Sequence, residues 1–325
     1  MEKFKLICSS IHNPFFNLAS EEYLLKHSQD FYIYLWVNSP AVIVGNNQNT
    51  LLEVNLTEAE KRDIKVVRRL TGGGAVYHDL NNVCYTIISP YNKEENNYVK
   101  YTKPIIEYLN SLGVKAEFSG RNDICVDGKK ISGNAEVVYK DRIMHHGTIL
   151  FDTDLDVLSC VLNQNKIKIQ SKGIKSIRAR VVNVKSLLSN DISCEQFLNG
   201  LYNYFNKSYS SYEFSKNDVA QIENLAKTKY QTYEWNIGFS PKGSNKIDLK
   251  FDFGIINLTF DLIDGIISNA EIFGDFFSNE NSLNIAKKLN GKRFTKQQLL
   301  LAFSGVENYI KGATAQAIVN KIFEE

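Results

Sequence analysis

The chain has 325 residues, 43% hydrophobic and 23% charged, a globular balance that excludes a disordered polymer and is long enough for two domains. Its 38 basic and 36 acidic residues leave a formal charge of +2, too weak a field for bulk binding to nucleic acid or a membrane, so any polyanion needs a local patch. Five scattered cysteines (Cys8, Cys84, Cys125, Cys160, Cys194) without a C-x-x-C pair argue against a disulfide framework or a structural zinc site, and they fit a reducing cytoplasm.

Met1–Leu6 has no leader-like apolar run, and no stretch approaches the length of a membrane span. Asn13-Pro14-Phe15-Phe16-Asn17 leads into an amphipathic helix predicted over Leu18–His27. Apolar, β-rich runs at Phe31–Val37, Ala41–Gly45, Ile64–Arg68 and Asn82–Ile88 read as strands. Val99–Leu112 reads as a helix that stops before Gly113, with Pro104 signalling a kink or a later start. Short strands follow at Lys115–Phe118, Ile124–Val126, Lys130–Tyr139 and Arg142–Phe151. Asp127-Gly128 supplies the positive φ angles of a tight hairpin turn, and Lys140-Asp141 turns the next one. Strands joined so closely predict an antiparallel or mixed sheet with packed helices, not a doubly wound parallel fold.

Beyond Leu155–Leu162 the chain turns basic, through Lys166, Lys168, Lys172, Lys175, Arg178, Arg180 and Lys185. Helices are predicted at Cys194–Asn206 and Asn217–Lys227, and Ser240–Asn245 has the composition of a linker. Three strands (Lys246–Phe253, Ile255–Phe260, Ile263–Phe273) and helices at Asn279–Leu289, Thr295–Phe303 and Val306–Phe323 form a small α+β domain. The division expected is therefore 1–243 for a catalytic domain and 244–325 for an accessory one.

Three features could carry chemistry. The run Gly72-Gly73-Gly74 follows a strand, with Arg68 and Arg69 before it and His78-Asp79 after it. Three glycines leave amides uncovered that could donate to anionic oxygens, and arginine forks suit phosphate; a plain glycine turn with a basic flank is the alternative. It is neither a Walker loop nor a G-x-G-x-x-G. Lys129 and Lys130 follow the Asp127-Gly128 turn on opposite strand faces, so only one can face a cleft and stabilise developing charge. His145 and His146 likewise diverge, which makes them poor joint ligands for one metal.

In order along the chain these segments resemble the lipoate–protein ligase A family, within the group that includes biotin–protein ligases. The resemblance runs through Asn13–Glu22, Val42–Gly45, the signature Arg68–Asp79, Ser119–Asp123, Lys130–Ala135, His145–Thr148, Lys172–Val181 and Glu234–Gly238. It implies an α+β fold: a large N-terminal mixed or antiparallel sheet with packed helices, plus the small C-terminal accessory domain. It implies an enzyme that uses MgATP to convert free lipoate to lipoyl-AMP, then passes the lipoyl group to a lysine of a lipoyl domain. The acceptors implied are 2-oxoacid dehydrogenase acyltransferase subunits and the glycine-cleavage H protein, in the cytoplasm, with no prosthetic group, nucleic acid or membrane involved.

By the same resemblance Lys130 is the catalytic lysine, contacting both the lipoyl carboxylate and the phosphate as a cation and not as a nucleophile. Arg69, Gly74, Ala75, Val76 and Tyr77 match nucleotide-binding positions, and Thr71, Gly72 and Gly73 lie towards lipoate. Asn82 and Asp123 look like adenylate contacts or metal-related positions, with Mg2+ held mainly by phosphates and Asp123 a protein candidate for it. Gly173 and Arg178 belong to a loop that closes over the adenylate. Asn134 and Glu136 stand where the family varies. Two rival readings are an ATP-independent octanoyl or lipoyl transferase using Cys125 or Cys160 as nucleophile, and a catalytically silent binding module.

Overall fold

The computed structural model describes residues 4–162, 180–238, 245–263, 265–278 and 281–324. They form two compact units. The first comprises Met1–Ile43, Asn55–Val67 and Val76–Thr232; the second comprises Val44–Val54, Arg68–Ala75 and Tyr233–Glu325.

The strands are β1 (Phe4–Cys8), β2 (Phe31–Val37), β3 (Ala41–Val44), β4 (Lys65–Arg68), β5 (Val76–His78), β6 (Asn82–Pro90), β7 (Glu117–Ser119), β8 (Asp123–Val126), β9 (Lys129–Tyr139), β10 (Arg142–Leu150), β11 (Ser210–Ser211), β12 (Asn245–Phe251), β13 (Gly254–Ile263) and β14 (Ile266–Gly274). In the first unit eight of them form one sheet, ordered β11-β1-β2-β6-β10-β9-β8-β7. The sheet is mixed: β1 runs parallel to both β2 and β11, and the remaining pairs are antiparallel. That is the α+β architecture the short turns predict. A second, three-stranded sheet is ordered β4-β3-β5.

Strand alternation decides what each face meets. Ile33, Leu35 and Val37 of β2 and Val83, Tyr85 and Ile87 of β6 share one core with Tyr101, Ile105, Tyr108 and Leu109 of helix α2 (Asn97–Ser111) and Phe197, Leu201 and Phe205 of α3 (Cys194–Asn206). The opposite face meets helix α1 (Pro14–His27), where Tyr34 donates to Asn17 and Thr86 donates to Glu21. Both faces are covered, which is why β2 reads as a nearly continuous apolar run, Phe-Tyr-Ile-Tyr-Leu-Trp-Val.

Several boundaries differ from expectation for local reasons. α1 begins at Pro14, four residues early, because Asn13 caps it by accepting from the amides of Phe15 and Phe16 and Pro14 occupies the first turn. α2 also begins early, at Asn97, so Pro104 lies inside it. The sequence pattern does not predict β1, β5 or β11: all three are short, and all draw their stability from partners elsewhere in the chain. Helix α4 (Lys216–Leu225) follows the Ser215 cap and continues as a π turn to Tyr230.

The second unit contains the antiparallel sheet β12-β13-β14, packed on α5 (Leu283–Lys287), α6 (Lys296–Ala302) and α7 (Ala315–Glu324) around Leu258, Ile272, Phe276, Leu289, Phe303 and Ile318. The single final helix expected over Val306–Phe323 is instead a 3-10 turn at Val306–Asn308 followed by α7, since Gly312 between them takes φ +87°. The linker composition at Ser240–Asn245 falls, up to residue 244, outside the described residues. Among the described residues no helix is long and apolar enough to cross a membrane.

Candidate active site

The Asp127-Gly128 turn adopts positive φ at both residues, +49° and +72°, and folds β8 back on β9. Their pairing starts with Val126 opposite Lys129 and Cys125 opposite Lys130, then shifts by one residue so that Asp123 faces Gly133. Such a bulge re-aims a side chain. Lys130 is thereby brought onto the face of Asp123, with Nζ 2.7 Å from Oδ1, each side chain about a third exposed at 35%. Gly133 completes the arrangement: a Cβ there would lie 2.7 Å from the ammonium nitrogen. On the other side of the strand segment, the Lys130 carbonyl accepts from the amide of Val182 at 3.0 Å. Lys129, on the opposite face, is exposed.

Next to this hairpin lies a buried polar cluster. Asn134 Nδ2 donates to the carbonyl of Asn122 (3.1 Å) and to Ser132 Oγ (3.3 Å), and its Oδ1 accepts from the Tyr85 hydroxyl. His145, fully buried, places Nε2 3.2 Å from the same Oδ1 and Nδ1 2.9 Å from Glu136. Burial pulls the His145 pKa below its ordinary value even against the pull of Glu136. His146 points the other way, to Glu21 at 2.8 Å on α1, so the two imidazoles diverge. A signal for the cluster did exist: counting back from the Lys140-Asp141 turn pairs Glu136 with His145 and Asn134 with Gly147, which is the register observed.

In the same unit β5 carries Val76 and Tyr77, paired with Ile43 and Val42. Burial, then Asp79 and Asp154, push the Tyr77 hydroxyl up to about 12. Asp79 accepts from the amides of Asn81 (2.9 Å) and Asp154 (2.8 Å), and burial raises its pKa. This fixes the turn into β6, where Asn82 is wholly buried. Its Nδ2 reaches only Cys84 Sγ at 3.3 Å, and its Oδ1 has no hydrogen-bond partner among the described residues. A buried acceptor left so costs about 1–3 kcal/mol until something donates to it.

The glycine run lies in the second unit, and its arginines are committed to the backbone around it. Arg68 Nη1 donates to the carbonyls of Gly45 (2.9 Å), Asn46 (3.0 Å) and Gln48 (2.7 Å), Nη2 to Thr50 Oγ1 (2.8 Å) and Nε to the Trp235 carbonyl (2.9 Å). Burial and the neighbouring Arg69 lower its pKa to about 10, which leaves it a cation at neutral pH. Arg69 ties its own loop, donating to Thr71 Oγ1 (2.8 Å) and to the carbonyls of Gly72 (2.6 Å) and Gly74 (2.9 Å). The Gly73 amide donates to the Phe276 carbonyl at 3.2 Å, so not all amides of the run are uncovered. Gly73 takes φ +89°, and a Cβ at Gly72 would overlap the Phe276 carbonyl.

Lys130 and Asp123 are thus brought together, as are Arg69, Thr71, Gly72 and Gly74; Ala75, Val76, Tyr77 and Asn82 follow along the chain. Gly173 and Arg178 lie outside the described residues. Among the described residues no three His, Cys, Asp or Glu side chains gather to hold a metal ion. Of the cysteines, Cys84 and Cys125 are buried, with thiol pKa values pushed up by burial, and Cys194 is pushed up to about 12 for the same reason.

Residues 13–206 match the family model of the lipoyl protein ligase A/B catalytic domain, and residues 240–322 match the bacterial lipoate protein ligase C-terminus. The chain is 40% identical over 324 residues to the lipoate-protein ligase LplJ of Bacillus subtilis, covering 97% of this chain and 98% of that protein. Among solved structures it is similar to P. falciparum LipL1 in complex with lipoate (TM-score 0.82, 28% identity, 99% of this chain and all of that one). It is also similar to the bi-partite ligase of an archaeal lipoylation system from Thermoplasma acidophilum, described with its E2 lipoyl domain (TM-score 0.66, 28% identity, 75% of this chain and all of that one). A lipoate-protein ligase A bound with ATP matches with TM-score 0.62 at 28% identity, covering 73% of this chain and 99% of that one.

Proposed function

We infer the mechanism from one premise: the chain belongs to the lipoyl protein ligase A/B family and carries the bacterial C-terminal domain of its lipoate ligases. Its activity is that of a lipoate–protein ligase, which joins lipoate to protein at the expense of ATP.

A carboxylate is a poor acyl donor, so it is first activated. A lipoate oxygen attacks the α-phosphorus of ATP, the bond to the β-phosphate oxygen breaks, and pyrophosphate leaves with the electron pair. The ε-amine of an acceptor lysine then attacks the carbonyl carbon of lipoyl-AMP; AMP departs, a proton is lost to solvent, and an amide remains. Both substrates of the first step are anions, and bringing them together requires fixed positive charge and orientation.

The observation that carries the assignment is the Lys130–Asp123 hairpin: a cation turned by a bulge onto a half-open face and held at 2.7 Å by a carboxylate. Lys130 is the group that meets the lipoyl carboxylate and the α-phosphate. Asp123 orients it, and Asn82 Oδ1 accepts from the nucleotide. Arg69 shapes the loop Thr71–Gly74, whose residues Thr71, Gly72 and Gly73 border lipoate, while Gly74, Ala75, Val76 and Tyr77 border the nucleotide. Mg2+ comes with ATP and is held mainly by phosphate oxygens, its one protein candidate being Asp123. Gly173 and Arg178 close over the adenylate. Residues 1–243 act as the catalytic domain and 244–325 as the accessory one.

The acceptors are lipoyl domains of 2-oxoacid dehydrogenase complexes and the glycine-cleavage H protein, in the cytoplasm. The archaeal ligase described with an E2 lipoyl domain supports that class of partner. A cysteine-based transferase is disfavoured at Cys125, whose thiol is buried with a raised pKa. Mass spectrometry of a lipoyl domain incubated with enzyme, MgATP and lipoate tests the whole reading. It requires a mass gain of one lipoyl group, stoichiometric pyrophosphate, and loss of both with Lys130→Ala. Transfer without ATP would overturn it.

A further inference from the structure

Asn134 stands at a position the family signature leaves open, yet it is buried to 3% exposure and is the most connected polar side chain near Lys130. A carbonyl only accepts, so Nδ2 faces Asn122 O and Oδ1 faces the Tyr85 hydroxyl and the His145 ring. We propose that Asn134 is a positioning residue for adenylation, locking the turn that bears Asp123 to the central strands and so fixing Lys130. This rests on the ligase reading above.

The connection can be followed bond by bond. Three hydrogen bonds join Asn134 to Asn122: amide to carbonyl at 3.0 Å, Nδ2 to the same carbonyl at 3.1 Å, and Asn122 Nδ2 to the Asn134 carbonyl at 2.6 Å. Asn122 immediately precedes Asp123, which pairs with Gly133 of β9 and Ser119 of β7 at the end of β8, so these bonds tether the turn just before that strand to β9. On its inner side Asn134 is held by Tyr85 of β6 and by His145 of β10, the two strands at the middle of the sheet. Gly147 leaves the necessary room, since a Cβ there would overlap Asn134 Oδ1 and the Tyr85 hydroxyl. The Asn134 side chain is anchored at the rigid centre and bonded through Nδ2 to a half-buried turn that the Asn134 backbone grips with two further bonds, so it transmits position, and a shift of about 1 Å at a reacting group can cost 100-fold.

The test is lipoate-dependent ATP–pyrophosphate exchange, expressed per active site titrated. Asn134→Ala should lower kcat by roughly 10- to 100-fold while the KM values for ATP and lipoate change by less than about three-fold. Because Asn134 acts through Asp123, adding Asn134→Ala to Asp123→Asn should lower kcat by less than about two-fold more. A merely structural residue would reduce the number of active sites and leave kcat per site unchanged, which would overturn the proposal. So would full multiplication of the two single effects. Should Asn134→Ala not fold, Asn122→Ala, at a half-buried turn, carries the test with the same non-additivity and a smaller drop. Exchange that is absent in the wild type, or unaffected by Lys130→Ala, would overturn the ligase reading together with the proposal. An active wild type, an inactive Lys130→Ala and a silent Asn134→Ala would overturn the proposal alone.

Discussion

Gly133 and Lys130 share one small volume: the place where a Cβ would stand on Gly133 lies 2.7 Å from Nζ and 2.9 Å from Cε of the lysine. The ammonium reaches Asp123 because that glycine is bare. Gly133→Ala should therefore shift Lys130 off Asp123 and lower the rate of lipoyl-AMP formation by roughly 10- to 100-fold. The fold should tolerate the change, because the displaced atoms are the end of a flexible side chain. Pre-steady-state adenylate formation alongside thermal unfolding checks it; a variant at wild-type rate would show that the Lys130–Asp123 contact is dispensable.

Arg68 is expected to be a stability residue. It donates to four carbonyls and one hydroxyl, all within the second unit, and is 1% exposed. Arg68→Ala strands those acceptors and should cost about 3–5 kcal/mol. Arg68→Lys should recover little, because one ammonium cannot serve acceptors spread around a planar fork. Urea unfolding decides, and a lysine variant within about 1 kcal/mol of wild type would contradict the role.

The Glu22 carboxylate gives a pH signature. Burial pushes its pKa up, but Lys229, Lys26 and Tyr230, each at 2.7 Å, outweigh burial and hold it below the ordinary carboxylate value. A depressed folded pKa means that the unfolded chain binds the proton first, so this stabilisation is complete above about pH 4.5 and is lost as pH falls through the lower folded value. Glu22→Gln should destabilise by roughly 3 kcal/mol near neutrality. The gap between variant and wild type should close on acidification below about pH 4.5. Unfolding midpoints measured from pH 7 to 3 would reveal a gap that stays constant, contrary to the expectation.

Asn82 separates binding from folding. Its Oδ1 is buried with no protein partner among the described residues, so truncating the side chain forfeits only the weak Nδ2 bond to Cys84 Sγ. Asn82→Ala should change the stability of the ligand-free protein by about 1 kcal/mol or less, relief of the orphaned acceptor offsetting the lost Nδ2 contact, and raise the KM for ATP roughly 10-fold or more. Calorimetric titration with ATP beside an unfolding curve tests both halves; unchanged nucleotide affinity would remove Asn82 from the site.

Much of the architecture is legible in the sequence because turn chemistry and alternation are local. Asp127-Gly128 and Lys140-Asp141 set the hairpins, with Asp127 and Lys140 at φ +49° and +55°, and the β2, β9 and β10 runs fall within a residue of their predicted limits. Lys130 stands out because it follows a turn. What it faces depends on a one-residue register shift that no propensity encodes. The sequence leaves the glycine run open between amides and arginine forks offered to a ligand and a plain turn with a basic flank; in the structure Arg68 and Arg69 donate to carbonyls of their own unit. Those carbonyls are distant in sequence or hidden in the backbone, invisible to a residue pattern. β1 escaped notice because its partners are Phe31–Leu35 and, some two hundred residues away, Ser210–Ser211.

The two outermost strands of the eight-stranded sheet, β11 and β7, have two and three residues. An edge that short offers almost no open ladder to a strand from another molecule, which is how a large sheet stays out of edge-to-edge aggregation. Ser210–Ser211 in particular screens part of β1, whose Phe4–Cys8 run would otherwise present five residues of unpaired backbone. That two-residue strand is therefore a guard on solubility.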